Sequence, residues 1–220
     1  MNMKKIKFIL ILFGLIYSTD VPFGAFSITR IHYDGGGDWY SDPSSLPNLL
    51  NFVQEETTII LNPTEKQAKI GDDIFTGSSY LYLTGHGNIS FSKDEVFSLR
   101  KHLKAGAFLH ADDNYGMDIS FREQIKKVFP DKDWVELPPN HEIFNNYFNF
   151  ENGLPKVHEH NNKRPQALAL FDKEKMIVLY TYESDLGDGW EDSEVHQDGE
   201  LIRKEALKMG TNIIIYALTR

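Results

Sequence analysis

Three short clusters hold the side chains most able to do chemistry in this chain. They are Tyr33-Asp34-Gly35-Gly36-Gly37-Asp38-Trp39-Tyr40, Thr84-Gly85-His86-Gly87 and Asp112-Asp113-Asn114, and each follows an apolar run. His86 lies between two glycines, which argues for an exposed turn and makes it the best of the eight histidines for acid–base transfer or ligation. Its structural alternative is a side chain that only bonds the neighbouring loop. Asp112 and Asp113 are adjacent, so a strand-end turn points them in different directions. One can face a crevice as nucleophile, general base or metal ligand while the other caps the next helix, or both serve as turn and cap residues. Asp34 and Asp38 flank a glycine triplet that has neither G-x-G-x-x-G spacing nor a Gly-Lys-Ser/Thr, and two acids repel phosphate. Asp34, Gly35, Gly36, Asp38 and Trp39 are instead candidates for holding a ligand. Trp39 and Tyr40 offer an aromatic face for sugar stacking or for packing beneath the loop.

Other groups carry weaker signals. His141 follows Pro138-Pro139-Asn140, a rigid loop able to reach over a crevice, and is a candidate ligand contact. His158 and His160 form a His-x-His pair that reads as a metal pair or as part of an exposed loop. His110 follows a buried strand, and His102 reads as a solvated helix residue. The acidic stretch from Glu183 to Glu200 lacks the spacing of a calcium loop. Gly187, Gly189 and Trp190 interrupt it, which implies an ordered loop near the crevice and makes Asp188 a further ligand candidate. Arg30 and Tyr33 read as structural. No donor set defines a metal or a cofactor.

Composition narrows the classes. The chain has 220 residues and no cysteine, which excludes a thiolate nucleophile, a disulfide framework and a Cys-ligated metal. Lys4, Lys5 and Lys7 precede an apolar run from Phe8 to Tyr17 that is short for a membrane span. Residues 1–25 therefore read as a signal peptide or, if uncleaved, an N-terminal anchor through residues 8–17. The chain is expected to be exported, periplasmic or extracellular, with membrane contact only through that segment. Its formal charge is −9, and loss of three lysines and Asp20 would make it −11. Such a surface repels phosphate backbones, so no nucleic-acid partner is expected; the ligand classes left are small molecule, carbohydrate and protein.

The elements that must position these clusters alternate. Phe26–Tyr33, Thr57–Leu61, Ile74–Leu83 and Ala107–His110 read as strands. Between them, Pro47 suits the first helical position of a stretch carrying Leu46, Leu49, Leu50 and Val53 on one stripe. Asn62–Asp72 reads as a polar connection. Ser92-Lys93-Asp94-Glu95 and Ser120-Phe121-Arg122-Glu123 are capping-box patterns, with stops at Gly106 and Pro130. Gln166–Phe171 and Lys175–Tyr182 read as a hairpin, and Leu201–Leu218 as a helix whose Gly210 packs closely on the sheet. One domain over residues 26–220 is expected, a three-layer, doubly wound and mainly parallel α/β sheet. Asp34, His86 and one of Asp112 and Asp113 then share the crevice at the carboxyl ends of the strands.

The chain resembles the uncharacterised bacterial family "domain of unknown function 4159". The resemblance rests on the cluster Tyr33–Tyr40, Leu46–Leu49, Tyr82–Gly87, Gly106–Asp113, Leu137–Phe144 and Asp185–Glu191, and covers nearly all of Phe26–Arg220. More distantly, strand-Thr-Gly-His-Gly-helix-Gly-strand is similar to the flavodoxin-like, class I glutamine-amidotransferase-like fold, including its trehalose-utilisation (ThuA-like) branch. That likeness implies a fold and not glutamine hydrolysis, because the turn that holds the family's nucleophilic Cys reads His110-Ala111-Asp112-Asp113-Asn114 here. Two functions follow as expectations. One is a ligand- or protein-binding module, or degenerate enzyme, that kept the crevice. The other is a carbohydrate-active or metal-assisted hydrolase using His86 with Asp112 or Asp113.

Overall fold

The computed structural model describes residues 24–220; the basic and apolar start of the chain lies outside them. Four strands form the centre: β1 (Ile28–Ile31), β3 (Tyr80–Leu83), β4 (Phe108–Asp112) and β7 (Lys175–Tyr182). Residues 28–31, 80–83 and 108–112 are buried throughout. Coverage on both faces explains this continuous burial, which Tyr80–Leu83 meets with an unbroken apolar run, while the other two strands also bury Thr29, Arg30, His110 and Asp112. With β2 (Lys66–Ala68), β5 (Val135–Glu136) and β6 (Gln166–Asp172), the described residues form a seven-stranded sheet in the order β2-β1-β3-β4-β7-β6-β5. Pairing is parallel from β2 through β7, and antiparallel from β7 to β6 and from β6 to β5.

Helices cover both faces. Ile28, Tyr80, Tyr82 and Phe108 pack with α1 (Ser45–Glu56) and α7 (Glu200–Thr219). Ile31, Leu81, Leu83 and Leu109 pack with α3 (Lys93–Lys104) and α4 (Asp118–Val128). This is the expected three-layer, flavodoxin-like α/β architecture. Short helices α2 (Asp73–Thr76), α5 (Leu186–Trp190) and α6 (Ser193–His196) complete it. Trp190 is fully buried and donates its indole N–H to Ala206 O at 2.8 Å, pinning α5 to α7. Among the described residues, no helix is long and apolar enough to cross a membrane.

The elements depart from expectation in identifiable places. Thr57–Leu61 is not a strand: it makes one parallel bridge, Phe26 to Leu61, and leaves Ile60 exposed. The second strand is β2, inside the stretch read as a polar connection. As an edge strand paired only with β1, it needs no apolar run. Ile74 belongs to α2, so β3 begins at Tyr80. The Ser92–Glu95 capping box is present in full, and Gly106, with φ +118°, ends α3. Ser120 does not cap α4, which starts at Asp118; its hydroxyl instead accepts from Ile89 N and donates toward Gly87 O, tying α4 to the His86 turn. Pro47 is third in α1, not first. Gly210 packs on helices rather than the sheet, since an added Cβ would lie 2.5 Å from Leu49 Cδ1 and 2.9 Å from Trp190 Cζ2.

Candidate functional site

The pleat of β4 decides where its acids go. Phe108 and His110 face α1 and α7, and Asp112 continues on that side, while Asp113 turns to the α4 side. Asp112 is fully buried. Its carboxyl accepts from Gly187 N at 2.6 Å and shares a hydrogen bond with the Thr181 hydroxyl, so it caps α5 from a neighbouring strand. The local N-cap residue, Asp185, sits in the left-handed region at φ 54° and caps nothing. A Cβ added to Gly187 would meet Asp42 Oδ2 at 3.0 Å, Tyr82 OH at 3.1 Å and Asp112 Oδ2 at 3.2 Å, so three oxygens converge on this glycine. Asp42 accepts from Asn114 Nδ2 at 2.5 Å. Arg30, itself buried, holds the Asp42 turn through Ser41 O at 2.6 Å and Asp42 O at 3.1 Å, which explains its structural reading.

Burial with few compensating cations raises these carboxyls. Burial pushes Asp112 to about 8, Asp42 to about 6 with help from Asp188, and Asp185 to about 9 with help from Asp112. Burial also raises Asp188, against the opposing charges of His196, His158 and His86. Asp113 rises to about 6 through burial and then Asp118; it lines a separate pocket of about 240 Å³ with Tyr115, Lys163 and Glu183. His110 is buried between Tyr80 and Thr181, and burial lowers it to about 3, so it stays neutral.

Three histidines gather above the acids. His158 Nδ1 lies 4.0 Å from Asp188 Oδ2 and 3.8 Å from Asp198 Oδ1, and His196 Nε2 lies 3.7 Å from Asp188 Oδ1. One donor atom each from His158, Asp188 and His196 falls within 4.8 Å of the others, the spacing of a metal-ligand set. His160 Nε2 is 2.6 Å from Asp185 Oδ2, outside hydrogen-bonding angles, and its ring stacks on Tyr115 at 4.4 Å. Among the described residues, both Asp185 oxygens, Asp198 Oδ2 and His158 Nδ1 are buried without a hydrogen-bond partner. Such atoms are costly to leave unpaired.

His86 is the exposed member. Its backbone N–H donates to Asp38 Oδ1, and its Nδ1 lies 3.0 Å from Asp38 Oδ2. The Nδ1–H tautomer fits this clamp and leaves the Nε2 lone pair free. The glycine triplet makes room for it: a Cβ on Gly37 would sit 2.6 Å from His86 O, and one on Gly35 2.7 Å from Ser90 N. Gly35 and Gly36 thus shape the turn, and Trp39 stacks on His32 at 4.1 Å. Asp34 faces outward, its nearest cation Lys69 Nζ at 3.5 Å. His141 lies at the other end of the molecule. It caps a 3-10 turn and packs at a tilt against Tyr216, one turn from Arg220, which donates to carbonyls of Gly106 and Met176 at the starts of β4 and β7. His102 is not solvated; it packs on Phe75 and bonds Ser78 O at 2.6 Å.

Sequence reasoning missed Asp42, Asp185, His196 and Glu191. Asp42 precedes a proline and looks like a turn residue. Glu191 looks like part of a charged run, yet it caps α1 by accepting from Ser44 N at 2.8 Å and Ser45 N at 3.0 Å. The expected ordering of the acidic stretch near the site is present, with residues 184–191 buried. No curated protein matches the sequence. The sequence matches the family described as Domain of unknown function (DUF4159) over residues 27–218, spanning the Asp38–His86 clamp and the His158, Asp188 and His196 group alike, and the chain belongs to that family.

Proposed function

We propose that this protein is a hydrolase in which His86, oriented by Asp38, acts as the general base on water. The Asp38–His86 clamp carries the reading: a carboxylate fixes both the backbone and Nδ1 of an exposed imidazole and leaves Nε2 toward solvent. In the step itself, Nε2 takes a proton as the water oxygen bonds to the substrate's electrophilic atom, and then returns it to the leaving oxygen. Asp112 has a positioning role, since both of its oxygens are committed to Thr181 and Gly187. Exposed Tyr40, two residues after Asp38, suits a hydroxylated, sugar-like substrate by stacking. Within the flavodoxin-like class we read the fold as amidotransferase-like with its nucleophile replaced, and we place the protein outside the cytoplasm from its basic and apolar start. A non-catalytic crevice that binds a small molecule, a sugar or a protein is the second reading, favoured by the commitment of both Asp112 oxygens to Thr181 and Gly187, which leaves that carboxyl no free oxygen to attack a substrate.

The test is hydrolysis of 4-nitrophenyl acetate, 4-nitrophenyl glycosides and bis(4-nitrophenyl) phosphate by wild type, His86→Ala and Asp38→Asn. Turnover should fall roughly 10²–10⁴-fold in His86→Ala and about 10-fold or more in Asp38→Asn. Turnover that survives His86→Ala would refute the role of His86. No turnover, with sugar binding retained and dependent on His86, would establish the second reading.

A further inference from the structure

We infer that His158, Asp188 and His196 form a site for a divalent transition metal of the zinc class. The three come from separate places: the loop before β6, the middle of α5 and the last residue of α6. Asp188 presents a different oxygen to each imidazole, at 4.0 Å and 3.7 Å. Those separations exceed a hydrogen bond but approach the roughly 3.4 Å between ligands bound tetrahedrally at 2.0–2.1 Å. Small rotations of two half-buried rings close the difference.

A second observation points to the same place. Asp185, 1% exposed, lies one turn before Asp188 and leaves both carboxylate oxygens without a hydrogen bond. Its Oδ2 lies 2.6 Å from His160 Nε2, an ion pair when that ring is protonated, and the His160 ring stacks on His158 at 5.0 Å. Asp198 Oδ2 and His158 Nδ1 are likewise buried and unpartnered. The nearby cationic side chains are engaged elsewhere, Arg30 on the carbonyls of Ser41 and Asp42, and Lys156 on Glu183 at 3.2 Å. A cation bound here would compensate the Asp188 carboxylate and give the unpartnered donor atoms beside it a partner. Two imidazoles and one carboxylate favour zinc-class ions over calcium, which takes oxygen ligands. Three protein ligands leave a fourth position open, as in catalytic rather than structural sites, with Asp185 and Asp198 placed to orient the imidazoles. This site stands apart from the hydrolytic reading, which assigns no metal.

The test strips the purified full-length chain with chelator and titrates it with Zn²⁺ by calorimetry and with Co²⁺ by visible absorption. The expected result is about one equivalent bound, an intense tetrahedral Co²⁺ spectrum, and at least ~10-fold weaker binding in His158→Ala and His196→Ala. His141→Ala, at the other end of the molecule from the site, should bind as wild type does. Should either alanine variant melt early, His158→Gln and His196→Gln provide the same comparison in a folded chain. Failure to bind, or stoichiometric binding indifferent to His158 and His196, would overturn the site. Metal binding without His86-dependent turnover would refute the hydrolase and leave the site standing; His86-dependent turnover without metal binding would do the reverse.

Discussion

Replacing Asp112 with Asn should make the protein's stability much less dependent on pH. Asp112 is fully buried, and burial pushes its carboxyl from the ordinary 3.8 to about 8. The folded chain therefore holds a proton that the unfolded chain releases above about pH 4. The stability this contributes is complete below the unfolded value and is lost as pH rises toward 8. Between about pH 5.5 and 8.0, Asp112 alone should remove about 3 kcal/mol, and Asp42 and Asp185, also raised, tilt the curve the same way. Asn keeps an acceptor for Gly187 N and offers an amide to Thr181, so the α5 cap survives without a charge to bury. Urea unfolding in chelator at the two pH values measures both chains. The wild type should weaken steeply with rising pH, and Asp112→Asn by roughly 3 kcal/mol less. If Asp112→Asn keeps the wild-type slope and is merely less stable at both pH values, Asp112 is ionised in the fold and the reasoning fails.

Further outcomes follow from close contacts and caps. Gly187→Ala should cost about 1–3 kcal/mol in urea midpoints, because its Cβ meets Asp42, Tyr82 and Asp112 oxygens at 3.0–3.2 Å; a neutral result would show that these oxygens yield readily. Glu191→Ala should cost about 1–2 kcal/mol by uncapping α1, with Glu191→Gln recovering most of it, as thermal melts can read. Gly210→Ala should lower the melting temperature through Leu49 and Trp190, by an amount equivalent to about 1–3 kcal/mol. Incubation with glutamine should release no ammonia above a His86→Ala control, since the turn after β4 offers carboxylates where amide attack needs an activated thiolate.

Local signals were legible from sequence where local physics decides the outcome. Tyr80–Leu83 stands out because a central parallel strand covered on both faces reads as an unbroken apolar run, whereas Ile28–Ile31 was legible only as a β-rich stretch, since it also buries Thr29 and Arg30. The Ser92–Glu95 capping box and the Gly106 stop are short-range hydrogen-bond and φ requirements. The opposite aim of Asp112 and Asp113 follows from a two-residue pleat. The edge strand β2 was not legible, since pairing with β1 alone imposes no hydrophobic pattern on Lys66–Ala68. Tertiary structure alone decided the site. It brought His196 and Asp188 to His158, set Asp42 against Gly187, and let Asp112 and Glu191 cap helices distant in sequence. Residues up to 148 positions apart meet there, and no local periodicity encodes that. That Asp185 makes no capping hydrogen bond is equally invisible in sequence, because Asp112 takes over the cap that Asp185 occupies in the chain.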